Sequence, residues 1–165
     1  MIKRRGFFLS GAALALTGCS SPSIRSYDGP EVTRIVVMKS HRKMYLLHHQ
    51  KVLKGYPIAL GFAPNGHKQV EGDGKTPEGR YFIDRRNPNS NFHLSLGISY
   101  PNQADVARAQ AMGKSPGGDI FIHGRARKHR GKGPDWTAGC ISLKDGEIED
   151  VYSMVRVGTA IDIFP

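Results

Sequence analysis

Eight short segments rich in β-branched and aromatic residues, two stretches with helical spacing, and glycine- and proline-bearing loops between them predict a mainly β (α+β) domain. The expected form is a sandwich or barrel-like sheet with two or so short helices. The first strand covers 32–39, where Val32, Ile35, Val36 and Val37 cluster. The next two cover 44–48 and 52–60, and the polar His49-Gln50-Lys51 between them suits a hairpin loop. Residues 61–79 hold five glycines and two prolines and read as a well-specified loop. Within it, Thr76-Pro77-Glu78-Gly79 predicts a type I turn, and Asp73 and Lys75 are read as solvated turn residues. Strands follow at 80–84, 92–99, 119–123, 141–143 and 160–164. Residues 103–112 are alanine-rich and stop at Gly113, which predicts a short helix. A second helix is expected over 146–155, with Ile148, Val151, Tyr152 and Val155 on one face and Asp145 as its N-cap.

The N-terminus predicts export. Lys3, Arg4 and Arg5 form a basic start, an apolar stretch runs from Phe7 to Leu16, and Leu16-Thr17-Gly18-Cys19 forms a small-residue processing site. That stretch is shorter than the roughly 20 residues a membrane-spanning helix needs. Leu-Thr-Gly-Cys resembles a bacterial lipobox, which implies a diacylglycerol on the Cys19 sulfur. Two or three acyl chains hold a protein on a membrane stably where one does not. Arg4-Arg5-Gly6-Phe7-Phe8-Leu9 also resembles a twin-arginine signal, so the export route stays open between the two. The organisation expected is a lipoprotein signal over 1–19, a Ser/Pro-bearing tether over 20–31 and one domain over 32–165. In a Gram-negative cell, Ser20 and Ser21 after the lipidated cysteine suit the periplasmic face of the outer membrane.

Of the 24 basic residues three lie in that leader, so 21 face 14 acidic ones beyond it, a surplus of about +7. Such a surplus suits nucleic acid, anionic lipid or a carboxylate-rich wall polymer, or simply keeps a surface protein soluble. Export argues against nucleic acid. It also isolates Cys140, since exported cysteines usually pair and Cys19 is assigned to lipid. A solitary thiol there is a buried inert residue, a hazard or a nucleophile.

His123 ends the apolar run Ile120-Phe121-Ile122, and Cys140 follows seventeen positions later after a basic, glycine-bearing loop. A histidine within reach takes the thiol proton, and a thiolate is far more nucleophilic than a thiol of ordinary pKa, about 8.5. Gly139 lets another backbone approach closely. N–H groups around Ala138 to Cys140 are candidates to hold an oxyanion. On spacing alone, a core histidine beside a packed cysteine accounts for the same residues.

The wider pattern is more specific. Ile122-His123-Gly124 followed by Thr137-Ala138-Gly139-Cys140-Ile141 resembles the signature of YkuD-type L,D-transpeptidase catalytic domains, and the 72–81 segment resembles the family's early Gly-Asp-x-x-Thr-Pro-Glu-Gly stretch. Leu60-Gly61-Phe62-Ala63-Pro64, Phe92-His93-Leu94-Ser95-Leu96 and Tyr100-Pro101-Asn102 are similar to its YafK-like subgroup. The likeness runs from Thr33 to Pro165. Ala138 and Ser142 depart from it, standing where many members have His before the Gly-Cys and Arg or Asn two residues after the cysteine.

The resemblance implies an L,D-transpeptidase-like β-sandwich that transfers the acyl group of a peptidoglycan tetrapeptide stem through a Cys140 thioester. It implies His123 as general base and acid, its other ring nitrogen oriented by the Gly124 carbonyl, with Gly139 and Cys140 as oxyanion donors. Arg125, Arg127, Trp136, Thr137, Ala138 and Ser142 are the candidates to touch substrate. The basic loop from Arg125 to Lys132 suits stem carboxylates, with a solvated surface loop as the alternative, and Trp136 is read as packing beneath it. The chemistry requires no cofactor, and the Asp/His pattern offers no zinc motif. The alternatives are hydrolysis of the same acyl-enzyme, including release of a wall-linked lipoprotein, and a non-catalytic wall-binding module.

Overall fold

The computed structural model describes residues 24–125 and 133–165, so Cys19 and Arg127 lie outside the described residues. Strands β1 (Arg34–Met38), β2 (Lys43–His48) and β3 (Lys51–Pro57) form an antiparallel meander. The connection between β2 and β3 is two residues, with His49 in the left-handed region at φ 53°. Strand β4 (Gly79–Ser90) pairs with β5 (His93–Ile98), which pairs with β6 (Phe121–His123), and β7 (Ile141–Ser142) lies parallel to β6. Strand β8 (Ala160–Phe164) sits between β1, to which it is parallel, and β4. The strand order is therefore β3-β2-β1-β8-β4-β5-β6-β7.

β4 is the hinge of this arrangement. Its first four residues pair with β8, and from Ile83 onward it pairs with β5, with a register irregularity between Ile83 and Arg85. An irregularity of this kind bends a strand and increases its twist. The two sub-sheets that share β4 thus contribute to one core: Ile35, Val37 and Leu46 from one, Leu94, Leu96, Ile122 and Ile141 from the other. Alternation decides which residues enter it. In β8, Ile161 and Ile163 are buried in the core, while Asp162 between them takes a two-pronged bond from Arg80, Nε at 2.6 Å and Nη2 at 2.9 Å. The fold is mostly β with two helices, as the sequence predicts.

Helix α1 (Gln103–Ala111) begins at Asn102, whose side chain accepts from the Asp105 N–H at 3.0 Å while Asp105 accepts from the Asn102 N–H at 3.0 Å. Asp105 is 3% exposed and serves three further groups. Tyr81 donates its hydroxyl at 2.8 Å, His67 Nε2 lies at 3.0 Å and Arg108 Nη1 donates at 3.0 Å. Helix α2 (Asp145–Met154) buries Ile148, Val151 and Tyr152 against β5 and β6.

Four expectations need correction. The N-cap of α2 is Lys144, not Asp145, because Asp145 accepts from the Arg125 N–H at 2.8 Å instead. There is no turn at 76–79: the turn lies at 70–73, where the Asp73 N–H reaches the Val70 carbonyl, and 74–78 runs open into β4. Asp73 is no solvated turn residue either, since it collects four bonds described below. β4 also extends through Ser90, well past residue 84.

Because Asp105 ties α1, β4 and His67 together, Asp105→Ala removes a cap and strands a buried tyrosine hydroxyl. A loss of about 2–4 kcal/mol in urea unfolding is expected. Unchanged stability would show that these bonds are replaced by water at no cost.

Candidate active site

The chain after β3 does not continue as strand to residue 60. It leaves the meander and braces the cysteine loop at both ends. Ala59 and Ser142 exchange backbone bonds of 2.9 and 2.8 Å. The Thr137 N–H donates to the Leu60 carbonyl at 3.1 Å, and the Phe62 N–H donates back to the Thr137 carbonyl at 2.9 Å. Arg42 holds the start of this loop through Asp135, with Nη2 at 2.7 Å, and Asp135 also accepts from the Leu60 N–H at 3.0 Å. The turn that presents Cys140 is thus closed by a single segment, 59–62.

The second brace is the 66–78 loop. Its shape is set by Asp73, which accepts from the N–H groups of Gln69, Val70 and Lys75 and from Lys68 Nζ. Burial opposes the charge on Asp73, but these bonds prevail and hold the carboxyl below the usual range. Lys39 Nζ, buried, donates to the carbonyls of Gly66 and Thr76 and to Glu78 at 2.7 Å. The loop so formed presses its backbone against the cysteine turn. A Cβ on Gly139 would lie 2.6 Å from the Lys75 carbonyl oxygen, and one on Gly61 would lie 2.0 Å from that of Gly74. Gly139 also has φ +132°, a conformation that side chains disfavour.

Parallel pairing of β6 and β7 places Ile122 opposite Ile141 and His123 opposite Ser142. By the same register Cys140 falls opposite Phe121, whose N–H lies 3.4 Å from Cys140 Sγ. His123 is two residues along from Phe121 and so projects on the same side of the strand. Cys140 and His123 line one cavity of about 410 Å³, together with Asn87, Ser90, Phe92 and Asp119. His123 Nδ1 lies 2.6 Å from the Gly124 carbonyl oxygen. A carbonyl only accepts, so Nδ1 carries the proton and Nε2 holds the basic lone pair of the neutral ring. Phe92 and Trp136 flank the imidazole, with ring centroids 4.5 and 5.8 Å away.

Burial is the main influence that pushes the Cys140 thiol up from its ordinary value, and the Asp119 charge acts the same way; the Phe121 N–H and Lys68 oppose them without prevailing. The Cys140 thiol is therefore neutral at rest, not the ion-paired thiolate that activation in advance would require.

The other predicted residues sort by where the fold puts them. The Gly139 N–H, expected to hold an oxyanion, donates to Thr137 Oγ1 at 3.2 Å, which leaves Cys140 N–H as the candidate donor. Thr137 is buried, and its hydroxyl donates to the Cys140 carbonyl at 2.7 Å, so it shapes the turn instead of facing a ligand. Ala138 is exposed beside the cysteine. Ser142 is buried and lines, with Arg125, a separate cavity of about 250 Å³. The Arg125 guanidinium lies 5.9 Å from the Trp136 ring. Gly124 fits a narrow gap, where a Cβ would meet the Phe92 carbonyl oxygen at 2.8 Å. Asn87, Ser90, Phe92 and Asp119 were not among the expected site residues; the polar run Asn87-Pro88-Asn89-Ser90-Asn91 is the signal that marks this rim. Among the described residues no cluster of three His, Cys, Asp or Glu could hold a metal ion.

Two outcomes follow. Gly139→Ala is expected to lower stability by about 2–4 kcal/mol in urea unfolding, through strain and the Lys75 contact, and wild-type stability would show that the turn yields freely. Alkylation of Cys140 by iodoacetamide in the free protein is expected to rise with an inflection above the ordinary thiol value of about 8.5. An inflection well below that value would contradict the neutral resting thiol.

A family model described as the L,D-transpeptidase catalytic domain YkuD matches residues 32–163. Among curated proteins the chain is 27% identical over 107 residues to YafK of Escherichia coli strain K12, a provisionally assigned L,D-transpeptidase, covering 64% of this chain and 38% of that protein. Among solved structures it resembles the helical cell shape determining protein Pgp2 of Campylobacter jejuni, with TM-score 0.63, 27% identity, and coverage of 88% of this chain and 51% of that one. An L,D-transpeptidase from Mycobacterium smegmatis, at 15% identity, TM-score 0.55 and coverage of 81% of this chain and 59% of that one, shares the fold. The chain thus spans about half or less of the length of YafK and Pgp2.

Proposed function

Because this chain belongs to the YkuD family of L,D-transpeptidase catalytic domains, we propose that it is a cysteine-dependent acyltransferase acting on peptidoglycan stem peptides. The observation that carries this reading is the shared cavity of Cys140 and His123, with His123 Nδ1 donating to the Gly124 carbonyl so that Nε2 is the basic nitrogen of the neutral ring. Family membership supplies the substrate class, and the geometry supplies an order of events consistent with it.

Cys140 Sγ attacks the carbonyl between the L-centre of a diaminopimelate residue and the terminal D-Ala, and the thiol proton passes to His123 Nε2. The oxyanion that forms is held by the Cys140 N–H. The C–N bond then breaks, Nε2 returns its proton to the departing D-Ala amine, and a thioester remains on Cys140. An amine or a water next attacks the thioester, His123 takes a proton from it, and the proton returns to sulfur as the new acyl product leaves. A thiol that is neutral at rest suits this sequence, because charge appears only once the carbonyl is in place. In this reading the domain works outside the cytoplasmic membrane, held there by lipid on Cys19.

The protein lacking residues 1–19, incubated with disaccharide-tetrapeptide and followed by mass spectrometry, is expected to release D-Ala. A cross-linked dimer identifies an amine acceptor, and a tripeptide identifies water. Cys140→Ala is expected to reduce release by about a thousandfold or more. No release by folded wild-type protein would contradict the proposal.

A further inference from the structure

We propose that Asp119 and Arg85 form a receptor for the zwitterionic far end of the donor stem's diamino acid, Asp119 taking its ammonium group and Arg85 its carboxylate. This rests on the acyl-transfer reading above for the identity of the ligand. The site itself is built from features that reading does not use.

Asp119 lines the cysteine cavity, and its backbone carbonyl oxygen lies 3.5 Å from Cys140 Sγ. Its backbone is in the left-handed region at φ 54°, a conformation aspartate tolerates better than most residues. The side chain is 89% exposed, so the backbone is fixed beside the nucleophile while the carboxylate stands at the cavity mouth. Arg85 Nη2 donates to Asp119 Oδ1 at 2.9 Å, and its Nη1 donates to Asp84 Oδ2 at 3.0 Å. The guanidinium also lies over the Phe121 ring, 4.5 Å from its centroid. Gly97 makes room for this group, since a Cβ there would lie 2.3 Å from Asp84 Oδ1 and 2.5 Å from Arg85 Cγ. Asp119 on the cavity rim and Arg85 bonded to it therefore present a carboxylate and a guanidinium side by side.

The ligand chemistry matches that pair. In the diamino acid three methylenes separate the carbon next to the attacked carbonyl from a carbon that bears both an ammonium and a carboxylate. Phe121 offers an apolar wall for the methylenes, and the neutral Asn87, Ser90 and Ser95 offer partners for the peptide. An ion pair this exposed contributes little to stability, so exchanging it for pairs with a zwitterion sacrifices little.

The test is calorimetric binding to the full chain carrying Cys140→Ala, in detergent solution, so that no turnover is needed. The probes are tetrapeptides with meso-diaminopimelate, lysine or Nε-acetyl-lysine at the third position. Affinity is expected to fall about tenfold from diaminopimelate to acetyl-lysine, with lysine between. Adding Asp119→Asn, which keeps the left-handed backbone, is expected to remove most of that ratio while leaving acetyl-lysine affinity within about twofold. Arg85→Gln is expected to close the gap between diaminopimelate and lysine. Equal affinities, no binding at all, or an unchanged ratio in Asp119→Asn overturns the inference. Preserved discrimination in a protein whose wild type releases no D-Ala would uphold the receptor and sink the acyl-transfer reading instead.

Discussion

The site depends on how closely two stretches of backbone can approach one another at Gly139 and Lys75. The cysteine turn has no regular structure of its own between Thr137 and Ile141. It is held from one side by backbone bonds to 59–62 and from the other by the 66–78 loop. That loop is in turn rigid because Asp73 gathers three N–H groups and an ammonium, and because the buried Lys39 draws Gly66, Thr76 and Glu78 together. Buried charges are stable only when paired and hydrogen-bonded, and both are. A side chain at Gly139 would force the turn and loop apart and move the sulfur with them.

The electrostatics of the pair follow from the same seclusion. A thiol partly withdrawn from water resists ionisation, and the nearby Asp119 charge adds to that resistance. The imidazole is fixed by a short bond from Nδ1 to its neighbour's carbonyl and flanked by Phe92 and Trp136, so its tautomer and ring plane are set before any ligand arrives. For the proposed acyl transfer, this arrangement favours proton transfer in step with attack over a standing thiolate. A neutral thiol is also slower to oxidise than a thiolate.

Much of the fold was legible because alternation and β-branching are local signals. β8 was readable to the residue, from Ala160 to Phe164, and the apolar spacing of Ile148, Val151 and Tyr152 marked α2. The far half of β4 was not, because Arg85-Arg86-Asn87-Pro88-Asn89-Ser90 carries no apolar alternation and owes its strand form to pairing with β5. Residues 58–60 resembled a strand but are diverted to the cysteine turn, a long-range partnership that no local pattern reveals. The same limit applies to the site. Cys140 and His123 stood out by residue type and sequence context, whereas Asn87, Phe92 and Asp119 reach the cavity only through the registers of β4, β5 and β6. Asp145 was misread for a related reason: its nearest sequence role is a helix cap, yet the Arg125 N–H claims its carboxylate.

The central claim, that Cys140 carries the acyl group, is tested most directly by acid-quenching the protein within its first turnovers on a tetrapeptide stem and weighing it intact. The account predicts a mass gain equal to the stem peptide without its D-Ala, mapped by digestion to the peptide that contains Cys140. D-Ala release with no covalent adduct at any quench time, or an adduct that maps to another residue, would contradict it.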